Sequence, residues 1–285
     1  MRIACVPDRE GTLMVLAATQ LIDSPDTVDQ SLQEPQPHVY RPFSIFIPAY
    51  NAAKTLPGVL ERIPAELWDD CVACFVISKA SRDNTLEVAA SLKDTYPKLE
   101  WVGGDTNLGY GDSVRTGLTA CLGVESDTIV CLHGDGQYPP EELPVMLQEI
   151  QSRELDILQG SRHKLNTARA GGMPLYKVIG GKALTWMENQ VFRMQMTDYH
   201  SGYMLYSRKA LETLPIEHLS YYFDFDIEAI AAARAMGLKI DEVGIPTHYG
   251  DEESYLNPWL YGLRCLRVMG LYIAGKYHRL ARAKT

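Results

Sequence analysis

The chain has 285 residues, of which 46% are hydrophobic and 22% charged, and its formal net charge is −9. This composition is typical of a soluble globular protein and excludes a mainly disordered chain, a collagen-like repeat and a small disulfide-rich scaffold. Because the excess of acidic residues repels a polyanion, nucleic acid is excluded as an expected partner.

The first 41 residues are predicted to form an N-terminal extension and linker. Residues 12–21 are apolar, but two acids, Asp8 and Glu10, precede them, and the segment has no clear cleavage site. We therefore expect a packed helix rather than a signal peptide. Four prolines between residues 22 and 42 are typical of a linker. No apolar run reaches the ~20 residues that span a bilayer. We expect a cytoplasmic protein.

From residue 43 onward, short apolar runs alternate with segments of helical spacing. Strands are predicted at residues 43–47, 72–77, 99–102, 128–132, 155–158 and 203–207. Helices are predicted at residues 52–63, 84–92 and 112–122, from residue 140, and at residues 177–192 and 227–237. This alternation predicts an α/β domain over residues 42–255, with a mostly parallel central sheet and helices on both faces.

Six cysteines are scattered along the chain rather than grouped for metal binding. Cys71 and Cys74 form a lone CxxC, whereas a tetrahedral zinc site needs a second pair or nearby histidines. Both cysteines fall at the start of a predicted strand, where their odd spacing predicts side chains on opposite faces of the sheet. We therefore expect buried free thiols and a reducing compartment.

Polar segments follow four of the predicted strands, at the ends where parallel sheets bind their ligands. These segments are Pro48-Ala49-Tyr50-Asn51, Ser78-Lys79-Ala80-Ser81-Arg82-Asp83, Asn107-Leu108-Gly109-Tyr110-Gly111 and His133-Gly134-Asp135-Gly136-Gln137-Tyr138-Pro139-Pro140. Each segment alone also has a structural interpretation. Asp83 can cap a helix, Asp135 can solvate a turn, and the glycines can be ordinary turn residues.

In their order and spacing, these segments resemble the family 2 glycosyltransferases of GT-A fold, in particular the branch of dolichyl-phosphate mannose synthase and the polyprenyl-phosphate sugar synthases. The resemblance covers residues 43–255 and includes Gly117, Gly160-Ser161-Arg162, the loop at 171–174, and His200-Ser201-Gly202-Tyr203 with Tyr206-Ser207-Arg208. It implies a Rossmann-like, nucleotide-sugar-binding sheet. It also implies a metal-dependent, inverting transfer of a hexose from a GDP- or UDP-sugar to an acceptor, with a polyprenyl phosphate expected, as in cell envelope glycan biosynthesis.

The resemblance also assigns roles to individual residues. Nucleotide-sugar binding is expected from Pro48, Tyr50, Asn51, Ser78, Lys79, Ser81, Asn107, Gly109, Gly111, Gly134 and Arg162. A Mg²⁺ or Mn²⁺ ion is expected on Asp135, Gln137 and His133, since hard cations prefer oxygen ligands and a neutral imidazole can also ligate a metal. Asp226, Asp135 and Arg208 are the predicted catalytic residues. For Arg162 and Arg208, an ordinary ion pair with an acid is the alternative.

Four positions depart from the family pattern. Ala52 stands where the family has a Glu, and Ser78-Lys79 stands where it has an Asp-Asp pair. His133 replaces the first Asp of Asp-x-Asp, and Met204 replaces an Arg. The missing Asp-Asp pair removes acceptors for the base and ribose, and Lys79 adds a positive charge that can contact a phosphate. The alternative function is therefore a catalytically degenerate GT-A module that binds a nucleotide sugar or a partner protein.

Three acids open the predicted helix near residue 227, namely Asp224, Asp226 and Glu228. Asp226 is predicted to position the acceptor or to act as its base, and the alternative is that Asp224 and Asp226 stabilise the helix dipole. Because a phosphate acceptor is already an anion, we expect positioning to matter more than base catalysis. His248 is a candidate for a further metal or diphosphate contact, with a structural histidine as the alternative.

Residues 256–285 are predicted to form a basic amphipathic helix. From residue 257 onward, six basic residues and no acidic residue accompany a strongly apolar pattern. Such helices lie on anionic lipid, so we expect a lipid-phosphate or glycan acceptor and peripheral association with the inner face of a membrane. The alternative is a helix that packs on the body, where its basic end offsets the acidic surface.

Overall fold

The computed structural model describes residues 40–165, 175–246 and 257–284, which lie in one compact unit of residues 39–285. Its centre is a sheet of seven strands, β1 (Phe43–Pro48), β2 (Cys71–Lys79), β3 (Leu99–Gly104), β4 (Thr128–Cys131), β5 (Ile157–Ser161), β6 (Met204–Ser207) and β7 (Ile240–Gly244). Their spatial order is β3-β2-β1-β4-β6-β5-β7. Strand β6 is antiparallel to β4 and β5, and the other pairs are parallel, which confirms the predicted fold class.

Ten α-helices are found among the described residues. They are α1 (Leu56–Glu61), α2 (Leu67–Asp70), α3 (Thr85–Ser91), α4 (Tyr110–Leu122), α5 (Leu143–Ser152), α6 (Leu175–Phe192), α7 (Arg208–Thr213), α8 (Phe225–Ala235), α9 (Pro258–Ile273) and α10 (Lys276–Lys284). None of these helices is both long and apolar enough to cross a bilayer. The predicted helix of residues 12–21, the loop at 171–174 and His248 lie outside the described residues.

Strand side chains alternate between two apolar cores, one on each face of the sheet. On one face, β1 and β2 contribute Ile45 and Val76, which pack with the buried sides of α1, α3 and α5. On the other face, Phe46 and Ile77 pack with α4, α8 and α9. The central strands are therefore apolar on both faces, as expected of a sheet covered by helices on both sides.

Several elements differ from their predicted form. The helix expected from residue 140 begins as a 3₁₀ turn at Pro140–Glu142 before α5, and α2, α7 and β7 did not stand out in the sequence pattern. The expected C-terminal helix is two helices, α9 and α10. Gly275, with φ of 75°, lies between them and provides the left-handed conformation that ends α9.

The cysteines confirm one prediction and correct another. All five that the structure describes are buried and free, as expected. Cys71 and Cys74, however, belong to the same core instead of lying on opposite faces. The pairing of β1 with β2 shifts register between Phe43 and Ser44, where Val72 has no partner and is exposed. This irregularity adds one residue to β2 and returns Cys71 to the face of Cys74.

Strand β1 pairs with β2 on one side and with β4 on the other. The chain therefore leaves β1 toward one edge of the sheet and later returns to build the opposite edge. Such a reversal opens a crevice at the carboxyl ends of the two strands. The segments after β1 and β4 meet at this position.

Helix α4 approaches β1 closely at Gly117, where an added Cβ would overlap the Phe46 ring. We predict that Gly117→Ala lowers the free energy of unfolding by about 1–3 kcal/mol, because a well-packed core has no room for the methyl group. Gly262→Ala on α9 is the matched control, since nothing lies within 4 Å of its added Cβ. Denaturant unfolding of both variants tests this contact, and equal stability would contradict it.

Candidate active site

The loops after β1 and β4 are bonded to each other at the carboxyl end of the sheet. Gly134 N donates to Pro48 O at 3.0 Å, and Thr55 Oγ1 donates to Gly134 O at 2.6 Å. A Cβ at Gly134 would lie 3.1 Å from Ala49 Cβ, so glycine allows this close approach. Two segments that are far apart in sequence thus form one wall of a shared site.

The β1 loop is bonded on its other side to the loop after β2. Asn51 N donates to Ser81 Oγ at 3.1 Å, and Arg82 N donates to Asn51 Oδ1 at 2.8 Å. Ser81 Oγ also lies 2.7 Å from Ser78 Oγ. Asn51 has φ of 52°, a left-handed conformation that asparagine adopts more readily than most residues. The neighbouring Tyr50 ring is left partly exposed.

Lys79 forms an ion pair with Asp112 at the start of α4, with Nζ and Oδ2 2.5 Å apart. Both side chains are largely buried. Burial would raise the pKa of Asp112, but the hydrogen bonds from Lys79 and Leu108 N, with the nearby positive charge, lower it instead. The lysine that stands where the family has carboxylates is therefore neutralised within the protein.

The segment after β3 turns over Lys79 and leads into α4. Asn107 Nδ2 donates to Lys79 O at 3.2 Å, while Asn107 Oδ1 accepts from Gly109 N at 2.9 Å. Gly109 has φ of 143°, and a Cβ there would lie 2.6 Å from a carbonyl oxygen of the loop at 220–222. Gly111 faces the same loop just as closely. These glycines therefore have a packing role besides the predicted ligand binding.

Asp135 lies in the turn that follows β4, at the reversal point of the sheet, and is partly exposed. Its Oδ1 accepts from Gln137 N at 3.0 Å, the single hydrogen bond to this carboxylate among the described residues. Gln137 is partly exposed beside it. A carboxylate with an amide side chain two residues later fits Mg²⁺ or Mn²⁺, which take oxygen ligands and complete their coordination with water and substrate phosphates.

Tyr110 connects His133 to Asp226. Its hydroxyl donates to Asp226 Oδ2 at 2.9 Å and lies 3.1 Å from His133 Nε2. The Tyr110 ring stacks on Phe223 at 5.3 Å and 8°, and Tyr138 packs edge-on against His133 at 4.9 Å. Nε2 of His133 therefore has a hydrogen-bond partner other than a metal. Tyr110 had no predicted role, and its place between two motif glycines was the available signal in the sequence.

The environment shifts both ionisable groups that Tyr110 contacts. Burial raises the pKa of Asp226 from 3.8 to about 7, although the hydrogen bond from Tyr110 opposes the rise. Asp226 Oδ1 is buried without a hydrogen-bond partner among the described residues. Burial lowers the pKa of His133, against the charge of Asp135. The site therefore holds a neutral imidazole and a carboxyl group that can carry a proton near neutral pH.

Asp224 and Glu228, the other acids at the start of α8, bind the C-terminal helices. Arg264 Nη1 lies 3.3 Å from Asp224 Oδ1, and Glu228 Oε1 accepts from Lys276 Nζ and Tyr277 OH at 3.0 and 2.7 Å. These pairs agree with the alternative in which the basic end of the chain offsets acids of the body. Of the three acids, Asp226 is the one that contacts Tyr110.

Arg162 follows β5 and is held by a buried acid. Its Nε and Nη2 donate to Asp198 Oδ2 and Oδ1 at 2.8 and 3.1 Å. Burial would raise the pKa of Asp198, but the charge and hydrogen bonds of Arg162 hold it well below its usual range. The same guanidinium contributes to lowering the pKa of His133, which places it near the site. Arg162 is thus ion-paired with Asp198, and its positive charge acts on His133.

The structure does not bring Arg208 to this site. Ser207, the residue before Arg208, pairs with Thr128 at the beginning of β4. This is the end of the strand farthest from the crevice. Arg208 donates to carbonyls at the end of α4 and just after it, those of Leu122, Val124 and Ser126. We therefore correct its predicted catalytic role to a structural one, because β6 runs antiparallel and carries its end away from the crevice.

Two other departures from the family pattern are buried apolar side chains. Ala52 is buried, and its amide donates to Thr85 Oγ1 at 2.9 Å. Met204 is fully buried and lies opposite Cys131 in the β4–β6 pair. The charges that the family pattern carries at these two positions are therefore absent from this site.

Comparison with known proteins identifies the family. Residues 44–214 match the family described as Glycosyl transferase family 2. The UDP-N-acetylglucosamine–dolichyl-phosphate N-acetylglucosaminyltransferase of Methanococcus voltae is 26% identical over 217 residues, which cover 72% of this chain and 85% of that protein. A dolichyl-phosphate beta-glucosyltransferase of Trichomonas vaginalis is 24% identical over 230 residues, which cover 74% and 68% of the two chains.

Solved structures show the same fold. Glucosyl-3-phosphoglycerate synthase from Mycobacterium tuberculosis in complex with UDP has a TM-score of 0.58 at 18% identity, with 82% of this chain and 79% of that chain covered. Its complex with Mn²⁺, UDP and glucosyl-3-phosphoglycerate gives a TM-score of 0.57 at 17% identity. This likeness establishes the GT-A fold, and the family match spans more than half of the chain. The chain therefore belongs to glycosyl transferase family 2 and is a glycosyltransferase.

Proposed function

We propose that this glycosyltransferase moves a hexose, with inversion, from a GDP- or UDP-sugar to a polyprenyl phosphate, with the help of a divalent cation. The observation that carries the proposal is Asp135, a carboxylate at the reversal point of the sheet, beside the bonded loops of β1 and β2. Relatives whose names include dolichyl phosphate support the acceptor class. The Mn²⁺ and UDP in a structural neighbour support the donor class and the ion.

Asp135 and Gln137 would hold the cation, and His133 is proposed to support the site through Tyr110 instead of ligating the metal. When bound, the cation neutralises the diphosphate and acts as a Lewis acid toward the departing nucleoside diphosphate. Gly134, held against the β1 loop, fixes the turn that presents Asp135. Asp198 orients Arg162, and the positive charge of this guanidinium is proposed to attract the diphosphate.

The nucleoside is proposed to lie along the loops after β1 and β2. The partly exposed Tyr50 ring offers an apolar face for a base, and Asn51 and Ser81 fix the two loops relative to each other. Since Lys79 is paired with Asp112, whose carboxylate also accepts from Leu108 N, its charge supports the loop after β3 rather than a phosphate. With Ser78-Lys79 in place of the family's acidic pair, the hydroxyl groups of Ser78 and Ser81 are proposed to take over its polar contacts.

Asp226 is proposed to position the acceptor. Its Oδ2 is fixed by Tyr110, and its Oδ1 has no hydrogen-bond partner among the described residues. Because burial keeps a proton on this carboxyl up to about pH 7, Asp226 can donate a hydrogen bond to an acceptor phosphate. An ionised phosphate oxygen needs no base, so the contribution of Asp226 is orientation of the nucleophile toward the anomeric carbon.

Exposed apolar side chains on α6 and α9 support a lipid acceptor. Trp259 is 87% exposed and Trp186 is 65% exposed. Tryptophan side chains in soluble proteins are usually far more buried than this. On the outer sides of the two packed helices lie Leu175, Ile179, Trp186, Trp259, Leu260, Leu263, Leu266 and Ile273. Together with the basic residues of α9 and α10 other than Arg264 and Lys276, which are paired with buried acids, these side chains suit the interface of an anionic membrane.

Asp135→Asn is predicted to lower kcat/KM for sugar transfer by at least about a hundredfold while leaving the fold intact. The cation that Asp135 would hold stabilises the developing diphosphate charge in the transition state by several kcal/mol. Each ~1.4 kcal/mol of lost stabilisation lowers the rate tenfold. Asp127→Asn, at an exposed residue just before β4, is the control. Transfer is measured with radiolabelled GDP- and UDP-sugars and a short polyprenyl phosphate, and undiminished turnover would refute the assignment.

The carboxyl of Asp226 predicts a pH dependence of stability. Its pKa of about 7 in the folded protein exceeds the ordinary value of 3.8, so the folded state retains a proton that the unfolded chain loses. Asp226 should therefore contribute a loss of stability of about 4 kcal/mol as pH rises from about 4 to about 7, and this contribution should level off above that. In Asp226→Asn this loss should be absent. Urea unfolding at several pH values measures it, and parallel pH profiles of the two proteins would disprove it.

The apolar face of α9 predicts binding to lipid vesicles. Leu263→Glu should weaken partition into anionic phosphatidylglycerol vesicles by about tenfold or more, since burying a leucine contributes roughly 1.5–3 kcal/mol. Val145→Glu replaces an exposed apolar residue on α5, away from this face, and should bind like the wild type. Vesicle co-sedimentation distinguishes the two variants, and an equal loss or no loss in both would argue against this surface.

A further inference from the structure

A second group of metal-ligand side chains lies outside the site of Asp135. Glu188 of α6, His200 of the loop before β6 and Cys265 of α9 each offer one ligand atom, and these atoms lie within 4.8 Å of one another. We name them the Glu-His-Cys cluster. None of the three is assigned a role in the proposed sugar transfer. Three elements that are distant in sequence therefore converge on one point.

The cluster contains polar atoms that the protein itself does not satisfy. Glu188 is fully buried, and neither of its carboxylate oxygens has a hydrogen-bond partner among the described residues. The Nε2 atom of His200 is also buried without a hydrogen bond, 3.4 Å from Glu188 Oε2. Because leaving a buried polar group without a hydrogen bond costs about 1–3 kcal/mol, such an arrangement indicates a missing partner.

The surroundings orient His200 as a metal ligand would be oriented. Its Nδ1 lies 2.9 Å from the hydroxyl of Tyr261, so Nε2 is the nitrogen left to face Glu188. Its backbone amide donates to Asp198 at 2.8 Å. In protein metal sites, the second ring nitrogen of a ligating histidine is usually fixed by such a hydrogen bond. Tyr261 lies one helical turn before Cys265, so the same face of α9 supplies both groups.

We propose that Glu188, His200 and Cys265 bind a zinc-type transition-metal ion that ties α6 and α9 to the loop before β6. A set of one thiolate, one imidazole and one carboxylate suits Zn²⁺, whereas the oxygen ligands of Asp135 and Gln137 suit Mg²⁺ or Mn²⁺. Water can fill the fourth position of a tetrahedral ion. The tied loop continues to Gly202, which packs against His133 and Tyr110. The ion therefore stabilises the loop that supports the proposed active site, without itself contacting substrate.

Cobalt(II) is the probe for this cluster, because thiolate coordination gives Co²⁺ a charge-transfer band in the near ultraviolet. The full chain, dialysed against a chelator and then titrated with Co²⁺, should develop this band at one equivalent, and Zn²⁺ should displace it. Cys265→Ser should abolish the band. Cys121→Ser, which removes another buried free thiol, and Asp135→Asn should both retain it. Failure of sugar transfer would not change this readout, so the two proposals are tested separately.

A second measurement tests the proposal even if Cys265→Ser fails to fold. Zn²⁺ should raise the melting temperature of the wild-type protein, and Glu188→Gln, which keeps the shape of the side chain, should reduce that rise. Absence of a thiolate band in the wild-type protein would overturn the proposal. A band of equal strength in folded Cys265→Ser, or a Zn²⁺-induced rise that Glu188→Gln leaves unchanged, would also overturn it.

Discussion

The contact between the loops of β1 and β4 is the constraint on which the site depends. Strand β1 pairs with β2 and β4, and the amide of Gly134 donates to Pro48 O where the chain reverses across the sheet. This bond fixes the turn that carries Asp135 beside the loops of Asn51 and Ser81. Without it, the carboxylate and the proposed nucleotide-binding loops would not share one crevice. The same strand pairing that builds the sheet therefore also positions Asp135 in the proposed site.

Charge balance explains why a cation is central to the proposed reaction. Lys79, Arg162 and Arg264 are each paired with an acid, namely Asp112, Asp198 and Asp224. These pairs hold loops and helices in place and leave less positive charge for a diphosphate in a chain of net charge −9. A cation on Asp135 would add the missing charge where the diphosphate is expected. The protonated carboxyl of Asp226 would avoid a second negative charge near the acceptor.

Sequence reasoning located the crevice because the carboxyl ends of adjacent parallel strands meet at one edge, so four polar segments implied one site. It misplaced Arg208 because apolar runs do not reveal strand direction, and β6 is antiparallel. The Lys79–Asp112 pair joins residues 33 positions apart, a contact that no local pattern predicts. Tyr110 was overlooked for the same reason, since its partners His133 and Asp226 come together only in the folded chain.

Calorimetric titration with UDP and GDP, in the presence and absence of Mn²⁺, tests the central claim most directly. The account predicts that one of these nucleotides binds the wild-type protein in the presence of Mn²⁺ and at least about tenfold more weakly in its absence, since the cation neutralises the diphosphate. Asp135→Asn should remove this dependence on the metal. Absence of nucleotide binding under both conditions, or metal-dependent binding that survives unchanged in Asp135→Asn, would contradict it.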